Sequence, residues 1–174
     1  MEARKPLSHV VAGLLIAAIV IIISMVMMMF SKSAANPGSG WFTYLIIIGG
    51  LVFFINVYGK AHGNRLGFGN LFSYGFKATA VYTLVFIGFL ILFSVLFPDF
   101  KNNAIEAARL EMENNKRITD EQAEKGIEMM DKYFWLLAIG GTMLGFVITG
   151  AIGSLLGAAI TKKQPQHPFE QQPL

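Results

Sequence analysis

The chain has no cysteine. That excludes disulfides, iron–sulfur clusters, thiolate metal sites, thiol nucleophiles and cysteine-linked lipid anchors. Charge is scarce: 14% of the 174 residues are Asp, Glu, Lys or Arg, against roughly 25% in an ordinary soluble domain. The long apolar blocks contain no Asp or Glu. Proton and ion pathways across a bilayer usually carry carboxylates, arginines or histidine relays, so a pump is disfavoured. The three histidines, His9, His62 and His167, are scattered, with no carboxylate pair beside them. Zinc and di-iron centres need three or four convergent ligands. No metal site, no bound cofactor and no catalytic constellation is therefore expected.

What the chain has in excess is apolar residue: 54% hydrophobic, with 15 Phe and 18 Gly, and a mean hydropathy of +0.54. One modest soluble core cannot absorb that much, and a disordered chain would be poor in aromatics. The excess falls in four blocks of membrane-spanning length. The expected fold is all-α: an integral membrane protein with four transmembrane helices in one domain, residues 1–163, followed by a disordered tail, 164–174.

The first span covers about 10–30. Its 21 residues rise about 31 Å, close to the roughly 30 Å hydrocarbon core. It is longer than the roughly 7–15 apolar residues of a signal peptide, so it reads as a retained span, although Ser33-Ala34-Ala35 resembles a weak cleavage site. Asn36-Pro37-Gly38-Ser39-Gly40 is a turn cluster. The second span covers 41–58 and opens with Trp41, Phe42 and Tyr44, residues suited to the headgroup level. After a polar connector, Leu71–Phe76 reads as an interfacial aromatic segment and 77–97 as the third span. Lys77 lies near enough to the interface to snorkel. Pro98 stops the helix.

Residues 99–132 are the one strongly polar stretch, read as an extramembrane helical hairpin between spans three and four. Asn114-Asn115-Lys116-Arg117 breaks it, and Thr119-Asp120-Glu121-Gln122 matches a capping box. Ala104, Ile105, Ala108 and Met112 on one arm, with Ala123, Ile127 and Met130 on the other, supply its apolar seam. Its second helix is expected to run straight into the fourth span, 133–160. Nine of the eleven acids fall in 98–132, which is net −3, while the rest of the chain is net +6. Arg4, Lys5, Lys60, Arg65, Lys162 and Lys163 collect on the opposite side. The positive-inside rule places both termini in the cytoplasm and the hairpin outside.

Two features invite a functional reading. In the fourth span, Gly141, Gly145, Thr149, Gly153 and Gly157 recur every four residues. Small residues let helices approach closely in lipid. The stripe serves either packing within the chain or contact with a second copy or a partner membrane protein. In the second loop, Lys60, His62 and Arg65 stand among glycines. They are either positive-inside charges against lipid or a headgroup contact. The loop is not a P-loop or a dinucleotide fingerprint, and nothing points to nucleic acid.

The run Phe68-Gly69-Asn70-Leu71-Phe72-Ser73-Tyr74-Gly75-Phe76-Lys77-Ala78-Thr79, the Phe97-Pro98-Asp99-Phe100 break, the acidic helix and the Gly-rich last span resemble domain-of-unknown-function family 4199. The resemblance runs from about Pro6 to Lys163. It implies a small multi-pass protein of the bacterial inner membrane with four spans, and it implies no activity and no functional residues. The expected role is a non-enzymatic accessory or scaffold subunit acting through the hairpin and the last span. The alternative is a small transporter or lipid-handling protein contacting anionic headgroups.

Overall fold

The computed structural model describes residues 6–30, 40–115 and 117–162. Arg4, Lys5, Lys163, the turn at 36–39 and the tail at 164–174 lie outside the described residues. Among the described residues there are six helices and no strand. Four are long and apolar enough to cross a membrane: α1 (His9–Phe30), α2 (Gly40–Ala61), α3 (Phe68–Leu96) and α6 (Phe134–Ile160). Two shorter polar helices, α4 (Phe100–Asn114) and α5 (Asp120–Lys132), connect α3 to α6.

The tightest pairs are α3 with α6, α1 with α3, and α2 with α6. Around the bundle the order is therefore α1, α3, α6, α2, with α1 and α6 on opposite corners. The core is built from Ala12, Ile16 and Val20 of α1, Ile47, Leu51 and Ile55 of α2, Leu71, Ala78 and Tyr82 of α3, and Phe146 and Ala158 of α6. Leucines and isoleucines on the outer faces remain exposed, as at Leu84 and Leu136. That is the surface a bilayer solvates.

The third span is longer than expected. The helix begins at Phe68, not at 77, and Leu71–Phe76 forms its opening turns rather than a separate interfacial segment. Leu71, Tyr74, Gly75, Ala78, Thr79, Tyr82 and Thr83 are all buried. Their spacing of three and four residues is one uninterrupted helical stripe, so nothing between Phe68 and Phe97 favours a break. At 1.5 Å per residue the 29 residues of α3 measure about 43 Å, roughly 13 Å more than the hydrocarbon core. Taken at the N-terminal end, where the polar residues of α3 lie, that surplus equals about nine residues and would set Lys77 near the edge of the apolar layer.

A second correction concerns α5. It does not run straight into α6, because Tyr133 (φ −111°, ψ 21°) interrupts the helix between Lys132 and Phe134. Other local signals hold. The helix α3 ends at Leu96, with Phe97 as its C-cap before Pro98. Thr119 Oγ1 accepts from the Gln122 N–H while Gln122 Oε1 accepts from the Thr119 N–H, so the capping box is complete.

Candidate functional site

The two ends of the bundle are chemically opposite. At one end the start of α1, the end of α2, the start of α3 and the end of α6 converge. The chain leaves α2 through a tight turn, in which the Asn64 N–H donates to Gly59 O at 2.9 Å. Gly63 (φ +63°) and Asn64 (φ +57°) both adopt the left-handed conformation. Glycine tolerates it freely and asparagine comparatively well. Gly59 meets Thr161 so closely that an added Cβ would fall 2.7 Å from Thr161 Cγ2. The Tyr74 hydroxyl donates to Leu7 O at 3.1 Å and ties α3 to the entry of α1.

Between these helix ends opens a cleft of ≈ 340 Å³, lined by His9, Tyr58, Leu66, Asn70, Ser73, Tyr74 and Lys77. That volume is at the lower end of the roughly 300–1,000 Å³ typical of small-molecule sites. Tyr58 and Tyr74 stack with ring centroids 4.0 Å apart and form the cleft's aromatic wall. Asn70, Ser73 and Lys77 come from successive turns of α3, and this spacing puts them on one face.

The candidate headgroup residues sit beside this cleft rather than in it. His62 is half-buried, its ring 4.3 Å from that of Tyr58 and its Nδ1 2.9 Å from Tyr58 O. Its first role is thus to close the end of α2. Lys60 and Arg65 are exposed on the same end. Sequence reasoning missed His9, Tyr58, Asn70 and Ser73 as cleft residues, because they come from three segments that only the fold brings together. The available signal was the polar spacing at 70, 73 and 77 on an otherwise aromatic helix.

The small-residue stripe of α6 divides along its length. An added Cβ at Gly153 would lie 2.9 Å from Leu51 Cδ1, and at Gly157 2.6 Å from Ile55 Cδ1, so both pack against α2. Gly150 faces Thr79 of α3 with no room for a side chain. Thr149 is buried. Gly145 faces Tyr44, whose hydroxyl would be 3.4 Å from an added Cβ. Gly141 and its neighbour Gly140 have nothing within 4 Å.

The opposite end carries α4 and α5, which pair with each other. Lys101 Nζ lies 2.8 Å from Asp131 Oδ1, and Met112 packs over Gly126. The seven seam residues expected from the sequence are half-buried or buried. The pair is anchored at its base by aromatics: Phe93 meets Phe100 edge-on at 5.5 Å, and Phe100 meets Phe134 at 6.2 Å. Every described carboxylate in the protein lies on this end, between Asp99 and Asp131.

Residues 11–163 match the model of a family described as a protein of unknown function, DUF4199. The chain belongs to that family. No curated protein and no solved structure matches it. Membership assigns no chemistry to either end of the bundle.

Proposed function

We propose that the protein is a non-enzymatic accessory or scaffold subunit of the bacterial inner membrane. In this reading both termini face the cytoplasm and the α4–α5 hairpin projects from the other side to meet a soluble or membrane-bound partner. The observation that carries it is that the hairpin stands clear of the bundle except at its aromatic base. α4 has no buried residue and α5 has only Ile127, and the pair closes on its own seam. Its outer surface offers apolar side chains among charges, with Leu110 51% and Met129 62% exposed. A partner helix in the membrane would approach α6 near Gly140 and Gly141, the part of the stripe that no other span covers.

The test is gentle detergent purification of the full chain, followed by identification of stoichiometric companions. The L110E/M129E double variant is expected to lose a bound protein while keeping the thermal stability of the bundle. A lone monomer that retains nothing counts against the scaffold. Topology is checked by reporter fusions at the tail and near Asn115, where a cytoplasmic signal at Asn115 overturns the orientation. The second reading, contact with anionic headgroups, is supported by the basic character of the cleft end.

A further inference from the structure

We propose that the cleft between α1, α2 and the first turns of α3 binds the phosphate of an anionic phospholipid, with the Lys77 ammonium as its charged ligand. The proposal rests on the headgroup reading above and sharpens it, moving the site from the loop to the neighbouring open cleft, where Lys77 is itself exposed. Three observations carry it. Lys77 lines a cleft large enough for a small group, and the length of α3 lets its ammonium snorkel from the hydrocarbon edge towards the lipid phosphates. An ammonium at that depth is costly unless it is paired or hydrated. Among the described residues no carboxylate is available to pair with it: the nearest in sequence, Asp99, follows the far end of α3. From Lys77 to Leu96 the helix rises roughly 28 Å, far beyond the reach of an ion pair. Among the described residues no counter-charge for Lys77 is present at this end of the bundle.

The other lining groups suit a phosphate. Ser73 Oγ and Asn70 Nδ2 are hydrogen-bond donors one and two turns from Lys77 on the same helix face, and His9 offers a ring N–H in either neutral tautomer. Tyr58 stacks on Tyr74 and gives the wall an apolar body for the glycerol and first acyl carbons. Lys60 and Arg65, exposed on the same end, add long-range attraction for anionic lipid without being required for the contact.

The test uses the full-length protein in a neutral maltoside detergent. Short-chain phosphatidylglycerol, the matched phosphatidylcholine and inorganic phosphate are titrated separately at constant ionic strength. Acylation of each lysine by an amine reagent is read by peptide mass spectrometry, and thermal stability is followed in parallel. Phosphatidylglycerol is expected to protect Lys77 and raise the melting temperature, with phosphatidylcholine much weaker. K77Q should weaken the apparent affinity at least about tenfold, the loss of one charge-assisted hydrogen bond, and K77R should restore most of it. The K60Q/R65Q double variant should retain the protection of Lys77. If K60Q/R65Q abolishes the lipid-induced stabilisation and phosphatidylglycerol leaves Lys77 as reactive as phosphatidylcholine does, the loop contact stands and the cleft site is overturned. If neither variant changes binding, both readings fall. Equal protection by inorganic phosphate would overturn the lipid as the ligand in favour of a free anion. Because the labelling is read on the wild-type chain, a K77Q variant that does not fold leaves the test intact.

Discussion

Replacing one glycine of α6 tests how tightly the bundle is built. Gly157 faces α2, where an added Cβ would stand 2.6 Å from Ile55 Cδ1, 3.2 Å from Ile55 Cβ and 3.2 Å from Val52 Cα. Carbon atoms prefer roughly 3.5–4.0 Å. A terminal methyl normally swings away from such a clash, but Ile55 Cδ1 has little freedom. It lies equally close, 2.6 Å, to the position of a Cβ on Gly75 of α3, and Ile55 is fully buried. The methyl is held between two glycines on two helices. Val52 Cα is backbone and moves only if α2 retreats. Gly157→Ala therefore carries an overpacking cost of about 1–3 kcal/mol. Against it stands the helix preference of alanine over glycine, about 0.5–1 kcal/mol. The net expectation is destabilisation by about 1 kcal/mol, within a range of about 0–2.5 kcal/mol. At Gly141, where an added Cβ meets nothing within 4 Å, only the preference term acts, and Gly141→Ala should be neutral or stabilising by up to about 1 kcal/mol.

The assay is reversible unfolding of the purified protein in mixed micelles with increasing sodium dodecyl sulfate, followed by circular dichroism. A double-mutant cycle isolates the cause. Ile55→Val alone removes the trapped methyl and costs about 0.5–1.5 kcal/mol. Combined with Gly157→Ala, it vacates the space the new Cβ needs, so the double variant should be more stable than the sum of the singles by about 1 kcal/mol. Additive effects in the cycle, or a Gly141→Ala variant as unstable as Gly157→Ala, would refute the reasoning.

Other expectations follow from single contacts. Tyr82 is buried, and its hydroxyl donates to Phe146 O at 2.9 Å. Tyr82→Phe removes that α3–α6 bond and should cost about 0.5–1.5 kcal/mol in the same unfolding assay. Ser154 Oγ is buried and has no hydrogen-bond partner among the described residues. Ser154→Ala relieves that desolvation and should leave the bundle as stable or more stable by about 1 kcal/mol, a clear loss of stability being the contrary result. Thr119→Ala breaks the capping box at the start of α5 and should cost about 1 kcal/mol locally. Hydrogen exchange should rise at residues 120–123 with the four long helices unaffected.

Much of this architecture is legible in the sequence, and the parts that are not differ in their physical reason. Four apolar blocks, a stop at Pro98 and the Thr119–Gln122 cap are local signals, and local signals survive folding unchanged. Hydropathy alone misplaces the start of α3. Residues 68–76 interleave three Phe and a Tyr with Gly, Asn and Ser and look interfacial by composition. Their helical spacing already continued into the span. Periodicity, not polarity, was the relevant signal there. The break at Tyr133 is subtler: helix-forming residues flank it on both sides, and no glycine or proline marks it. The aromatic contacts of Phe93, Phe100 and Phe134 at the hairpin base involve residues far apart in the chain, which no local pattern discloses.

The buried stripe of α3 also explains how the bundle holds together. Its buried face is Leu71, Tyr74, Gly75, Ala78, Thr79, Tyr82 and Thr83, while Leu84, Leu92, Val95 and Leu96 point outward with 58–72% of their surface exposed. A water-soluble helix would have the opposite arrangement. In lipid, burying a leucine against another helix gains little, because the acyl chains already solvate it. Close backbone approach and interhelical hydrogen bonds do the discriminating instead. Both are present on this face. Gly75 admits Ile55 and Ser154 to contact distance, and Tyr74 and Tyr82 reach carbonyls on α1's entry segment and on α6. The same logic divides the α6 stripe. Gly150, Gly153 and Gly157 are used up in holding α6 to α2 and α3, so they are unavailable to a second chain. Only Gly140 and Gly141 retain the open surface that a partner helix requires. A search for oligomer-breaking substitutions should therefore begin at the hairpin end of α6, since changes at the cleft end would unfold the subunit before they could report on assembly.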